Sequence, residues 1–270
     1  MNLPTVLIVI FIAYLIVVMF IYFYQRKLLY HPSENNYLDE TNLNHKIEKI
    51  YVQSDTELIS WHYNNNKSHK TILFFHGNAG RLDNRVYKLN ELAKLNINYL
   101  IVAYRGFSGN EGKPSEEGIY KDSEAAKKWL NENGVDDKNI ILYGESLGTA
   151  VAVDLASKNN FAGIILESPF TSMTKLAKKY YPYLPVKILL KDKYDSENKL
   201  HKINIPILIM HGYKDTIVPF EMGKEMFNKS NDPKFKYFNE TDDHMMDYNS
   251  DLISSLKNFV EGLNLSLIHI

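Results

Sequence analysis

The 270-residue sequence contains no cysteine, which excludes disulfides and any thiolate metal site. It has no H-E-x-x-H and no other metal-ligand spacing, so no metal is implied. Neither G-x-G-x-x-G nor G-x-x-x-x-G-K-[ST] occurs at the glycine-bounded turn His76 to Gly80, which argues against nucleotide binding. No cofactor and no nucleic-acid partner is expected. Internal repeats, low-complexity tracts and linkers are missing, and about 240 residues suffice for one domain with one core. Charge is nearly balanced, 31 basic side chains against 32 acidic, for a formal net charge of −1.

One absence is local. From Leu3 to Tyr24 the chain carries no charge, and such a stretch forms a helix of about 33 Å, enough to cross a hydrocarbon core of about 30 Å. It reads as a membrane span. A cleaved signal peptide would need a basic leading region and a small-residue cleavage site, and neither is present. Tyr22, Phe23 and Tyr24 resemble an interfacial aromatic belt, with Gln25, Arg26 and Lys27 beyond it. Those two charges follow the span and only the α-amino group precedes it, so the positive-inside rule favours a cytoplasmic domain after a single-pass anchor over residues 1–27.

What is present centres on Gly144, Glu145, Ser146, Leu147 and Gly148, set between an apolar, β-branched run (Asn139 to Tyr143) and a helix-like run (Thr149 to Lys158). Strand, tight turn and helix are the context of a G-x-S-x-G nucleophile elbow, in which small flanking residues let the chain reverse around a serine. The pentapeptide alone arises by chance in roughly one such chain in ten. Its partners carry the argument. A serine hydroxyl needs a histidine to take its proton and a carboxylate to orient that imidazole, in the chain order Ser, acid, His. The strand-like run Ile205 to Met210 is followed by Asp215, and the run Phe235 to Phe238 by a polar turn and His244. Asp242 and Asp243 rival Asp215 but adjoin His244, which makes it awkward for either to reach the far ring nitrogen.

The other histidines have simpler readings. His31, His45, His62, His69 and His201 are expected to be solvated, whereas His76 and His211 follow strands and precede glycine, as buried strand ends do. His269 falls in the last six residues, Leu265 to Ile270, which match the conceptual translation of a common sequencing-library adapter and are expected to be non-native. Backbone N–H groups in the turn His76 to Gly80 can point into the same space as the amide of Leu147. Asn78 and Leu147 are therefore the candidate donors for a developing oxyanion.

The segments His76 to Gly80, Tyr104 to Gly109, Pro114 to Gly118, Gly144 to Gly148 and His211 to Pro219 together resemble the Bem46-type, ABHD13-like branch of the α/β-hydrolase superfamily, from about Gln25 to about Gly262. The resemblance implies a serine hydrolase with Ser146, Asp215 and His244 as the triad and Asn78 and Leu147 at the oxyanion hole. It implies no particular substrate. Two positions depart from the family pattern: Asp243 stands where the family usually has Gly, and Ala103 where it usually has Asp.

Strand-like runs at Ile47 to Val52, Leu58 to Tyr63, Thr71 to Phe75, Tyr99 to Ala103, Asn139 to Tyr143, Gly163 to Leu166, Ile205 to Met210 and Phe235 to Phe238 alternate, from the third onward, with helical patterns such as Asp83 to Lys94 and Ser115 to Asn133. The expected fold class is α/β, an α/β-hydrolase domain over 28–264 with a mostly parallel eight-stranded sheet covered on both faces. A cap insertion is expected at about 169–202. That insertion holds eight lysines against three acids, either a solvated helical face or a basic lid beside an anionic leaflet. The chemistry expected is acyl transfer to water from an ester or thioester of a small-molecule or lipid-like substrate. A peptidase or amidase of the same fold, and a non-catalytic membrane-anchored scaffold, are the alternatives; an intact constellation argues against the scaffold.

Overall fold

A computed structural model describes residues 2–33, 39–65 and 70–265, with side chains through 263. His69, His269 and residues 266–270 lie outside them. Eight strands form one sheet: β1 (Glu48–Gln53), β2 (Glu57–Tyr63), β3 (Thr71–Phe75), β4 (Asn98–Val102), β5 (Ile140–Glu145), β6 (Gly163–Glu167), β7 (Ile207–Gly212) and β8 (Lys234–Asn239). Their order across the sheet is β8-β7-β6-β5-β3-β4-β2-β1. β2 runs antiparallel to β1 and to β4, and every other pairing is parallel. β3 to β7 are buried at every residue, as strands covered on both faces must be, while β1 alternates towards solvent.

All eight strands lie where the sequence places them. β7 begins two residues later than the apolar run, at Ile207, because Pro206 has no N–H to give the ladder; its carbonyl still accepts from Ile164 at 2.9 Å. The helices are α1 (Leu3–Leu29), α2 (Val86–Lys94), α3 (Glu116–Glu132), α4 (Leu147–Ala156), α5 (Met173–Tyr180), α6 (Val186–Leu189), α7 (Phe220–Lys229) and α8 (Ser250–Leu265). α3 starts where the Ser115 hydroxyl accepts from the Gly118 amide and stops before Gly134 at φ +86°. The stretch expected as one helix from Asp83 opens instead with a 3-10 turn, Leu82–Arg85, before α2. Two of the histidines expected in solvent are half-buried: His45 packs on Tyr63 and Tyr99, and His62 on Trp129.

α1 is long and apolar enough to cross a membrane, and its most apolar stretch is not buried against the protein. Its C-terminal half rests on the segment between β6 and β7, where Val18 and Ile21 pack against Leu184, Val186 and Leu189. The helix also runs past Tyr24 into polar contacts that composition does not reveal. Gln25 is buried, donating to the Leu189 carbonyl at 3.0 Å and accepting from the Lys191 amide at 2.8 Å. Arg26 forms a two-pronged pair with Asp192 at 2.8 and 2.9 Å. Asp192 is itself buried, and also accepts from the Tyr30 hydroxyl and from the Glu116 amide at the start of α3. One carboxylate thus ties α1, the β6–β7 segment and α3 together. Replacing it (Asp192→Ala) removes several charge-assisted hydrogen bonds and should cost roughly 1.5–3 kcal/mol in urea unfolding of the full chain; a cost under about 0.5 kcal/mol, the scale of an ordinary surface change, would contradict this role.

Candidate active site

β5 carries the first half of the G-x-S-x-G motif and α4 begins at Leu147, so Ser146 is the turn between them, at φ 51° and ψ −115°. A non-glycine residue in that region is strained by on the order of 1–3 kcal/mol and persists only where its surroundings force it. The surroundings are close. A Cβ on Gly148 would lie 2.0 Å from the Phe75 carbonyl oxygen at the end of β3, and one on Gly144 would lie 2.4 Å from the Gly148 carbonyl oxygen. The Ser146 amide donates to the Glu167 carbonyl at 2.9 Å, and its carbonyl accepts from the Thr149 amide, also at 2.9 Å.

Ser146, His244 and Asp215 come together at the C-terminal ends of β5, β8 and β7. His244 Nε2 stands 3.0 Å from Ser146 Oγ, and His244 Nδ1 stands 2.8 Å from Asp215 Oδ2. The other carboxylate oxygen accepts from the Ile217 and Val218 amides, both at 2.8 Å. Burial pushes the Asp215 carboxyl up, but hydrogen bonding to His211 and His244 outweighs it and holds the group well below the usual carboxylate range. His211, rightly expected to be a buried strand end, has a contact the sequence did not reveal: its Nε2 lies 3.2 Å from Asp215 Oδ2 and 2.9 Å from the Val218 carbonyl. The rival acids face elsewhere. Asp243, standing where the family usually has Gly, accepts from the Met245 amide at 2.9 Å, and burial pushes the Asp242 carboxyl up.

The turn after β3 is held from two sides. Asn78 donates through its side chain to the Leu29 carbonyl at 2.7 Å and accepts at its own carbonyl from the His31 amide at 2.8 Å. A two-residue parallel ladder, His31–Pro32 against Ala79–Gly80, continues that contact. On the inner side the Gly77 amide donates to Glu145 Oε1 at 3.2 Å. Among the described residues, no backbone carbonyl accepts from the amide of Asn78 or of Leu147. His76, beneath the turn, is packed on Tyr104 and Phe107; burial, reinforced by the Arg85 charge, pushes its imidazole down to about 3, so it stays neutral.

Directly under the elbow lies a cluster of charges that sequence reasoning missed. Glu145, the variable residue of the motif, pairs with Arg85 at 2.7 Å and with Lys88 at 2.6 Å. Lys88, fully buried, also pairs with Glu167 at 2.6 Å. The second Glu167 oxygen accepts from the hydroxyls of Tyr143 and Tyr248 at 2.6 and 2.8 Å. Two cations and two anions balance. Burial pushes the Glu145 carboxyl up, yet the Arg85 and Lys88 charges win and hold it well below its ordinary 4.5. Burial likewise lowers Lys88, but Glu145 and Glu167 hold it above its ordinary 10.5.

A carboxyl depressed in the folded state contributes stability in full above its unfolded value and loses it as pH falls through the folded one. Acid unfolding should therefore begin as pH drops below about 4.5, the ordinary Glu145 value. The raised Lys88 contributes below 10.5 and is unaffected there. Lys88→Met leaves buried Glu167 without a cation and Glu145 with Arg85 alone, and should cost roughly 3–5 kcal/mol at neutral pH. Denaturant midpoints measure this, and a loss under about 1 kcal/mol, the net worth of an ordinary neutral hydrogen bond, would show the cluster is not held by its charges.

Residues 87–250 match the model of the prolyl oligopeptidase family. The Schizosaccharomyces pombe protein bem46 is 32% identical over 222 residues, covering 76% of this chain and 74% of its own. The lysophosphatidylserine lipase ABHD12 of Danio rerio is 35% identical over 181 residues, 60% of this chain and 47% of the lipase. Among solved structures, an esterase of Pyrococcus furiosus superposes with a TM-score of 0.70 at 19% identity, covering 87% of this chain and 97% of the esterase, a likeness of fold. By its sheet order, its serine elbow and these relatives, the chain belongs to the Bem46-like branch of the α/β-hydrolase superfamily.

Proposed function

We propose that the protein is a membrane-anchored serine hydrolase that cleaves an acyl ester or thioester through an acyl-enzyme. The observation that carries this reading is the continuous chain of contacts from Ser146 Oγ through the His244 ring to Asp215 Oδ2, begun at a strained elbow. In the first step Ser146 attacks the acyl carbonyl while His244 Nε2 takes the hydroxyl proton. The oxyanion rests on the amides of Asn78 and Leu147, and Asp215 stabilises the imidazolium. His244 then protonates the departing alcohol or thiol, and later activates the water that releases the acid. The names of the relatives, an esterase by fold and a lysophospholipid lipase by sequence, support an ester over an amide. The family model's peptidase name favours the amide reading, and specificity lies in the pocket and not in the triad.

In this proposal α1 is the span, Arg26 and Lys27 after it favour a cytoplasmic hydrolase domain by the positive-inside rule, and that domain runs from residue 28 to 264 with the 169–202 segment as its cap. Protease treatment of sealed vesicles checks the orientation: domain protected inside inverted vesicles rather than digested would reverse it.

A fluorophosphonate probe should label the wild-type protein and not Ser146→Ala; absence of wild-type labelling would leave the scaffold alternative standing. With ester substrates, Ser146→Ala should lower kcat by on the order of 10⁶. Asp215→Asn should keep the fold and lower kcat by on the order of 10⁴, through loss of the imidazole's correct tautomer. Hydrolysis of an unactivated alkyl ester with none of the matched alkyl amide supports the ester assignment, and hydrolysis of the amide would overturn it.

A further inference from the structure

The interface between α1 and the β6–β7 segment is not closed. An apolar cleft of about 460 Å³ runs between them, walled by Ile21 and Leu29 on one side and Leu176, Ala177 and Leu189 on the other, with Ile217 also on its lining. That volume is within the range of small-molecule sites. Of the polar side chains on its wall, Tyr181 and Tyr183 are exposed, while Gln25, Asp192 and Tyr180 are engaged elsewhere. Gln25 bonds to the Leu189 carbonyl and the Lys191 amide, Asp192 to Arg26, Tyr30 and Glu116, and the Tyr180 hydroxyl donates to the carbonyls of Thr216 and Ile217. A peptide placed there would leave its own amides unsatisfied, at a cost of on the order of 1–3 kcal/mol each, whereas a hydrocarbon chain would leave nothing unsatisfied.

The lining of the cleft also says what belongs in it. Its outer wall is the uncharged stretch of α1, the part of the chain suited to hydrocarbon. Two residues of its lining are hydrogen-bonded to residues of the proposed site. The Leu29 carbonyl accepts from Asn78, and the Ile217 amide donates to Asp215. Lys178 and Lys179, exposed beside Ala177, offer positive charge at the cleft's edge to a lipid phosphate.

Building on the hydrolase reading above, we propose that this cleft is the acyl-chain site: a membrane lipid enters it sideways from the bilayer, its chain lying between α1 and the β6–β7 segment and its ester carbonyl meeting Ser146. One wall of the substrate site is then the anchor itself.

The test separates this from turnover. Full-length protein carrying Ser146→Ala is placed in phosphatidylcholine vesicles containing a palmitoyl lysophosphatidylcholine with a mid-chain diazirine, illuminated, digested and mapped by mass spectrometry. Adducts are expected on Ile21, Leu176 and Ala177. Adding Ala177→Trp should lower their yield by about tenfold, the loss expected when about two methylenes are kept from burial. Phe11→Ala, on the exposed stretch of α1 away from the cleft, should leave the yield unchanged. Adducts confined to Phe11, Leu15 and their outward neighbours, with none on Leu176 or Ala177, would overturn the proposal whether or not Ala177→Trp folds. Because every sample lacks the Ser146 hydroxyl, the result is independent of fluorophosphonate labelling, whose failure would remove the hydrolase reading instead.

Discussion

The architecture of the candidate site depends on one close approach, that of the elbow helix to the neighbouring strand end. Gly148 lies so near the Phe75 carbonyl that even a methyl group would collide with it. This contact places the α4 N-terminus beside the turn that follows β3, so the Leu147 and Asn78 amides arise from two segments pressed together by backbone. Once that spacing is set, the Ser146 φ of 51° has no easier alternative, since the sheet register, the Glu167 carbonyl and the α4 hydrogen bonds all hold it. Strain at the serine is maintained by packing around it.

The buried charges beneath the elbow serve the same spacing from below. Glu145 joins the elbow to Arg85 and Lys88 by ion pairs and to the Gly77 amide by a hydrogen bond, so one side chain spans the elbow and the turn after β3. Apolar packing could fill the same volume with comparable stability. It could not hold the Gly77 amide in a fixed direction. The cluster's value lies in orientation, and its balanced charge keeps the surrounding sheet from carrying an unpaired ion.

Sequence patterns revealed the parts of this molecule that repeat or that obey a fixed chain order. The five strands β3 to β7 were visible because strands covered on both faces are continuous apolar runs. Ser146, Asp215 and His244 were visible because each follows a strand in the order the chemistry requires, and the structure brings all three within contact. What was hidden has no local signature. Lys88 lies in a helix with charged neighbours and reads as a solvated residue until the fold buries it against two glutamates far along the chain. Gln25 and Arg26 look like the polar edge of a span, and only tertiary packing shows that Arg26 is engaged by Asp192. His45 and His62 were misjudged for the same reason: aromatic neighbours from distant segments enclose them, and burial lowers the pKa of both.

The Asp192 junction has a mechanical consequence. A tether of Gly and Ser would let the body drift and rotate, whereas here the helix continues without interruption from its apolar stretch into the Arg26–Asp192 ion pair and then, through Tyr30 and the short ladder at His31–Pro32, into the sheet's own loops. With α1 in a bilayer, Ser146 would therefore be held at one height and one tilt above the leaflet. For a chain anchored in this way, reach rather than affinity would be the first filter on what it encounters, selecting molecules by their depth in the membrane before any pocket has read their shape.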